Sequence, residues 1–214
     1  KSTVYEHITK GLNDKRYDGY DYIEPFCGYC HILRRIRNKR TYQASDANEM
    51  LVGLLKRVQS GDLKFPKISR KRYDELKLLK NNNKLKPNDM ALAGLAAFCY
   101  SYNGKEFGGY TPKSGDSSRD YVKERLRYYK RLNVNETFKK SKIESKIFFK
   151  LLPKRKSLIY CDPPYANTTQ YGKNEFDSVQ FWEHVRKLVK KGHIVYISEY
   201  NAHAPKTELN QIRF

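Results

Sequence analysis

The clearest hydrophobic pattern along the chain is a short apolar run, Leu158 to Cys161, which is followed at once by Asp162 and two prolines. Apolar residues that do not alternate with polar ones predict a strand buried on both faces of a parallel sheet. Proline has a fixed φ and no backbone N–H, so Pro163 and Pro164 cannot extend the strand. The pattern therefore predicts a buried strand with an acidic side chain at its carboxyl end.

The remaining hydrophobic patterning predicts strands that alternate with helices. Further strands are predicted at 21–26, 41–46 and 193–198, and none is evident after residue 198. Helices are predicted at 1–10, from near Cys30, at 48–58, 89–100, 121–132 and 178–191, with Asn88 or Asp89 and Ser178 as N-caps. Ile143, Ile147 and Phe148 have helical spacing between lysines, which predicts a solvated helix there. Such alternation indicates an α/β fold with a doubly wound parallel sheet.

The first two predicted strands end in residues suited to a cofactor loop. Glu24-Pro25-Phe26 ends the first strand, and Gly28 marks a tight turn before the next helix. Glycine at such a turn lets the backbone approach a ligand closely. Asp46 ends the second strand about 20 residues later, where a carboxylate commonly meets ribose hydroxyls. The alternative is that Ser45 or Asp46 caps the following helix.

Charge is the strongest compositional signal in the 214 residues. There are 43 Lys and Arg against 23 Asp and Glu, a net charge of +20, and residues 61–157 alone hold 25 basic and 10 acidic residues. The partner of so positively charged a protein is most readily a nucleic acid, because nucleic acids are polyanions. The distribution predicts a basic insert at 61–157, between a first part at 1–60 and a last part at 158–214.

Cysteine usage and hydropathy predict a reducing, aqueous environment. Four cysteines are too few for a disulfide scaffold, and no stretch approaches the roughly 20 apolar residues of a membrane-spanning helix. Cys27 and Cys30 have the spacing of half a zinc site, but a second pair of ligands is missing from the sequence. We therefore predict a cytoplasmic protein without a metal or a membrane partner.

Several motifs resemble one family in the same order along the chain. Asp162-Pro163-Pro164-Tyr165 resembles the amino-methyltransferase motif of Dam-type DNA adenine N6-methyltransferases from phages and bacteria. Glu24 to Gly28 is similar to the family's cofactor loop, with Cys30 in place of a second glycine. The stretch from Tyr102 to Tyr110, with Arg119-Asp120-Tyr121, resembles its target-recognition region. Ser198-Glu199-Tyr200-Asn201 and Lys1-Ser2-Thr3 resemble two further family segments.

The resemblance implies a Rossmann-like, doubly wound S-adenosylmethionine-dependent methyltransferase sheet with an inserted, mainly helical target-recognition domain. It implies methyl transfer to N6 of a flipped adenine at a specific site in double-stranded DNA, with S-adenosylhomocysteine as product and with neither a metal nor an obligate protein partner. The alternatives are a catalytically silent nucleic-acid-binding protein, or a methyltransferase for cytosine N4 or RNA. The target sequence and any matching restriction enzyme stay open.

Three sets of residues are implied by the resemblance. The catalytic set is Asp162, Pro163, Pro164 and Tyr165, of which the Asp162 carboxylate and the Pro163 carbonyl accept the two N6 hydrogens. The cofactor set is Lys1, Glu24, Phe26, Cys27, Gly28, Asp46, Ala47 and Asp162. The DNA-binding set is Tyr102, Asn103, Lys105, Tyr110, Lys113, Arg119 and Arg125.

Overall fold

The computed structural model describes residues 2–112, 120–164, 176–198 and 212–213. The α-helices are α1 (Ser2–Leu12), α2 (Glu49–Gln59), α3 (Arg70–Asn81), α4 (Met90–Gly94), α5 (Tyr121–Asn133), α6 (Glu136–Lys140) and α7 (Ser178–Lys190). The strands are β1 (Asp21–Glu24), β2 (Thr41–Asp46), β3 (Lys142–Ser145), β4 (Ser157–Cys161), β5 (Ile194–Ile197) and β6 (Ile212–Arg213). Within these ranges, no helix combines the length and the apolar character needed to cross a bilayer.

The described strands form one sheet in the order β3-β2-β1-β4-β5-β6, and every adjacent pair is parallel. The chain leaves β1 toward β2 and β3 on one side, then returns to place β4 on the other side of β1. Ligands of such sheets bind beyond the carboxyl ends of the strands at this reversal. The predicted doubly wound parallel sheet is confirmed, and we call its two rims the carboxyl edge and the amino edge.

A hydrophobic core covers one face of the sheet. Ile23 of β1, Ile159 of β4 and Val195 of β5 are buried, and helix α7 packs Phe181 and Val185 against them. All five residues of β4 are buried, as its unbroken apolar run predicts. The core therefore fixes the position at which β4 ends and Asp162 begins.

The chain divides into two compact units, residues 1–47 with 140–214 and residues 48–139. The sheet belongs to the first unit. In the second unit, helix α2 packs closely on α4, and a Cβ atom on Gly94 would lie 2.2 Å from the Met50 carbonyl oxygen. Glycine is therefore required at this helix contact. Helix α4 continues as a π-helical segment, Leu95–Cys99, and all five of those residues are buried.

The boundaries of the units differ from the predicted 61–157, because α2 packs within the second unit and β3 pairs within the sheet. Residues 48–139 contain 20 basic and 10 acidic residues, and the remainder contains 23 and 13. Both units thus have a net charge of +10. The net charge of the whole chain is thus shared equally between the units, because the lysine-rich stretch 140–157 lies in the first unit.

Three predicted features are wrong. No α-helix begins near Cys30, since this residue has a left-handed φ of 59° and only a 3₁₀ turn, Leu33–Arg35, follows. The solvated helix around Ile143 is strand β3, whose pairing with β2 overrides a helical spacing that three apolar positions matched by coincidence. Strand β6 follows β5, although no strand was evident after residue 198.

One predicted helix cap is also wrong. Asp177, not Ser178, caps α7, and its carboxylate accepts a hydrogen bond from the Gln180 N–H over 2.9 Å. Asp89 is the N-cap residue of α4, but its side chain makes no capping hydrogen bond, and a 3₁₀ turn, Pro87–Asp89, runs directly into that helix.

Candidate active site

The turn after β1 is bound to the end of β2 by two hydrogen bonds. The Cys27 N–H donates to the Ser45 carbonyl over 3.0 Å, and the Gly28 N–H donates to the Asp46 carboxylate over 3.1 Å. Gly28 has a φ of 47°, and a Cβ atom added there would have no neighbour within 4 Å. The backbone of this turn is therefore open to a ligand, with the Asp46 carboxylate beside it.

The structure tests the alternative in which Ser45 or Asp46 caps helix α2. Helix α2 is capped by Asn48, whose side chain accepts a hydrogen bond from the Leu51 N–H over 3.0 Å. Neither Ser45 nor Asp46 is the cap. The Asp46 carboxylate lies instead at the carboxyl edge, and Ala47 beside it is exposed.

Cys30 occupies the position of the missing second glycine without disrupting the turn. Its φ of 59° lies in the left-handed region that glycine adopts easily, and its N–H donates to the Cys27 carbonyl over 2.7 Å. Both thiols are buried. The hydrogen bond with Cys30 and burial raise the pKa of Cys27 well above its ordinary value, so its thiol stays protonated.

Glu24 is a buried acid at the end of β1. Its side chain accepts a hydrogen bond from the Tyr22 hydroxyl over 2.8 Å, and only 2% of the residue is exposed. Burial, together with the nearby negative charge of Asp162, raises the pKa of Glu24 to about 8, although the hydrogen bonds from Tyr22 and the Leu33 backbone lower it. At neutral pH the carboxyl group is therefore mostly protonated.

Asp162 and Pro164 are exposed directly beyond β4, and Pro163 between them is buried. The end of β4 is secured against β5, because the Ser198 N–H donates to the Cys161 carbonyl over 2.9 Å. The hydroxyl groups of Tyr160 and Ser198 are also hydrogen bonded, over 2.7 Å. Asp162 is therefore exposed at the end of a strand whose position is fixed by hydrogen bonds. Tyr165 lies outside the described residues.

The other predicted cofactor residues are placed differently. Phe26 is half-buried and packs its ring 5.3 Å from that of Phe148, and Cys27 is buried. Their side chains belong to the protein interior, so only their backbone faces the turn. Lys1 lies outside the described residues.

The predicted DNA-binding residues lie in the unit 48–139. Tyr102, Asn103 and Lys105 are exposed on a turn that is closed by an antiparallel bridge between Ser101 and Tyr110. The Tyr102 N–H donates to the Gly109 carbonyl over 2.9 Å within this turn. Lys113 and Arg119 lie outside the described residues.

Two of these predicted DNA contacts have structural roles. The Tyr110 hydroxyl donates to the Ile68 carbonyl over 2.8 Å. One guanidinium nitrogen of Arg125 donates to the carbonyls of Phe98, Cys99 and Ser101 over 2.6, 3.0 and 3.2 Å. These bonds satisfy carbonyl groups around the end of the π-helical segment. Arg125 therefore anchors the base of the turn that presents Tyr102.

Sequence reasoning missed Tyr22, which positions the Glu24 carboxyl group. The signal was available, because residues two apart on a strand point to the same face and a hydroxyl can then reach a carboxylate. It also missed the aromatic contacts of Phe26 with Phe176 and Phe181 beside the turn. These depend on residues far apart in sequence and have no local signal.

Among the described residues, no three His, Cys, Asp or Glu side chains are grouped to hold a metal. The carboxyl edge instead combines an open glycine turn, the Asp46 carboxylate at the end of β2 and the exposed Asp162 at the reversal of strand order. Comparison with protein families matches residues 1–210 to the D12 class N6 adenine-specific DNA methyltransferase model, and no curated protein sequence matches. The chain belongs to the D12 class of N6 adenine-specific DNA methyltransferases.

Proposed function

We propose that the carboxyl edge performs the family's reaction with Asp46, Gly28 and Glu24 on the cofactor side and with Asp162 and Pro163 on the target side. The family transfers a methyl group from S-adenosylmethionine to adenine N6 in DNA. The observation that supports this division is the hydrogen bond from Gly28 to Asp46, next to the electrostatic interaction between Glu24 and Asp162. Together they bring the ends of β1, β2 and β4 to one site.

The cofactor fits this site by its chemistry. Its ribose hydroxyls are donors that suit the Asp46 carboxylate, and the open backbone at Gly28 allows a close approach. When bound, S-adenosylmethionine supplies a methyl group already activated by its positive sulfonium. The Asp162 carboxylate stabilises this positive charge as a negative group, and the mostly protonated Glu24 stabilises it as a polar group.

The target amine is a poor nucleophile because its lone pair is delocalised into the purine ring. The Asp162 carboxylate and the Pro163 carbonyl accept hydrogen bonds from its two N–H groups and stabilise the positive charge that develops on the nitrogen. The methylated nitrogen then loses one of these protons to solvent, and S-adenosylhomocysteine is the co-product. Positioning of the amine against the methyl donor supplies a further part of the rate. Pro164 and Tyr165 complete the target side, and Tyr165 stacks on the base.

The base must leave the double helix to reach such a pocket, at a cost of a few kcal/mol. We assign DNA contacts to the exposed turn residues Tyr102, Asn103 and Lys105, and to Lys113 and Arg119, with Tyr110 and Arg125 as anchors of the turn. The unit 48–139 is accordingly proposed as the target-recognition part. A DNA substrate and four free cysteines support a location in the cytoplasm of a bacterial or phage-infected cell.

The family's specificity for adenine N6 in DNA decides against cytosine N4 and RNA as targets. The left-handed turn at Cys30 removes the reason to expect a catalytically silent protein. To test the site, DNA is incubated with the protein and S-adenosylmethionine, and digested nucleosides are analysed by mass. N6-methyl-2′-deoxyadenosine should form with the wild type and be lost with Asp162→Ala, while binding of the DNA persists in a titration. Full activity of Asp162→Ala would overturn the assignment.

A further inference from the structure

The amino edge of the sheet, opposite the candidate active site, is strongly basic. Six cationic residues lie just before the strands that begin there and are all exposed: Arg37, Lys154, Arg155, Lys156, Lys190 and Lys191. We call them the amino-edge cluster. Within the described parts of the chain, none of the six forms an ion pair with a carboxylate.

Among the described residues, the three acidic side chains that precede or begin β1 pair with cations outside the amino-edge cluster. Asp14 pairs with Arg16 over 2.7 Å, Asp18 pairs with Lys39 over 3.7 Å, and Asp21 pairs with Arg40. The positive charge of the cluster is therefore left for an external partner.

The strand register places the starts of β2, β1, β4 and β5 side by side. Thr41, Asp21 and Ser157 occupy the same level of β2, β1 and β4, and Leu158 of β4 is level with Ile194 of β5. Lys154, Arg155 and Lys156 therefore precede a strand that lies between those preceded by Arg37 and by Lys190 and Lys191. Parallel strands lie about 5 Å apart, which spreads the cluster over a width comparable with a few phosphate spacings of duplex DNA. Lys156 is also held in place, with its ammonium group 5.4 Å from the centre of the Tyr20 ring.

We propose that the amino-edge cluster binds the phosphate backbone of a second stretch of DNA, separate from the stretch that contains the target adenine. The proposal rests on the proposed function, because a protein bound at its target adenine has further duplex DNA close to it. The five residues of β4 separate the two edges by about 17 Å, so one straight duplex does not run along both. Contacts to phosphates carry no sequence information, so this second contact is non-specific. It would retain the enzyme on long DNA between target sites.

The test replaces Lys154, Arg155 and Lys156 by Gln together. The matched control replaces Lys71, Lys84 and Lys86 by Gln, which removes three exposed charges from the unit 48–139. Binding of short duplexes is followed by native mass spectrometry and by titration at several salt concentrations. Methylation of a short target-containing duplex is measured in parallel, so a failure of the proposed active site appears as inactivity of the wild type.

We expect two short duplexes per wild-type chain and, at the same duplex concentration, one per chain for the Lys154, Arg155 and Lys156 variant. At duplex concentrations high enough to restore the weaker event in the variant, the slope of log affinity against log salt for this event should be smaller by about 3, since each lost phosphate contact contributes about 0.9. Methylation of the short duplex should be unchanged in this variant, and the control should keep the weaker event.

Three outcomes would overturn the proposal. The variant could keep both duplexes with an unaltered salt slope, which would mean that the cluster binds no DNA. It could lose methylation of the short duplex, which would place the cluster in the productive complex. The control could lose the weaker event without losing methylation, which would make total charge the cause and not this edge.

Discussion

The two edges of the sheet are built from the same strands but have opposite chemistry. At the carboxyl edge, Glu24 and Asp46 end β1 and β2 and Asp162 follows β4, and one of these acids is buried and mostly protonated. At the amino edge, the amino-edge cluster precedes β2, β4 and β5, and none of its six cations pairs with a carboxylate of the described residues. The carboxyl edge suits a small, positively charged cofactor, whereas the amino edge suits an extended polyanion. Strand ends, more than strands, therefore determine what each side of this protein can bind.

The largest expected effect that separates the edges is that of Asp162→Ala. Removing a group that stabilises charge in the transition state typically costs a factor of about 10² to 10³ in kcat, and Asp162 is also expected to orient the amine. We expect kcat to fall about 10³-fold, with unchanged stability because the side chain is exposed. Single-turnover methylation assays measure the effect. The control is Glu183→Gln, which changes an exposed residue on α7. An equal loss of kcat in the control would show that the effect is not specific to the carboxyl edge.

Glu24 gives the carboxyl edge a pH dependence of stability. Its native pKa of about 8 lies above the ordinary value of 4.5, so the folded protein binds the extra proton between these pH values. The free energy of unfolding should therefore decrease as pH rises from about 5 to about 8, by on the order of 3 kcal/mol. Urea unfolding at several pH values measures it. Glu24→Gln should abolish this dependence and Glu183→Gln should retain it; a wild type with stability independent of pH would contradict the burial argument.

Asp46→Ala should weaken cofactor binding more selectively. A hydrogen bond to a charged group contributes about 1.5 to 3 kcal/mol, so the dissociation constant for S-adenosylmethionine should rise about 10- to 100-fold. Isothermal titration calorimetry measures this change. Asp46→Asn keeps one acceptor and should give an intermediate value. Unaltered affinity in the Ala variant would show that Asp46 only secures the Gly28 turn.

The smallest effect is expected at the amino edge, from Lys156→Ala. This residue is exposed and has a cation–π contact with Tyr20, so its loss should change the free energy of unfolding by less than about 1 kcal/mol. Cofactor affinity should stay at the wild-type value. Thermal unfolding and calorimetry together test this, and a cofactor defect would show that the two edges are not independent.

The sequence predicted those parts of the site that depend on local pattern. The apolar run before Asp162 and the residues of β2 before Asp46 each specify a strand and its end without reference to distant residues. The turn at Cys30 could not be predicted, because its left-handed backbone opposes the usual preference of cysteine and is held by tertiary contacts. Helix α2 shows the same limit, since its amphipathic pattern predicts a buried face but not that α4 covers it.

The carbonyl contacts of Arg125 have a consequence for engineering target choice. One guanidinium nitrogen donates to three main-chain oxygens just before the exposed turn, so a replacement without a donor at this place would leave these carbonyls unpaired. A library aimed at new recognition sequences should therefore randomise Tyr102, Asn103 and Lys105 while position 125 stays fixed. The library would then vary the residues proposed to contact DNA and leave unchanged the residue that anchors their turn.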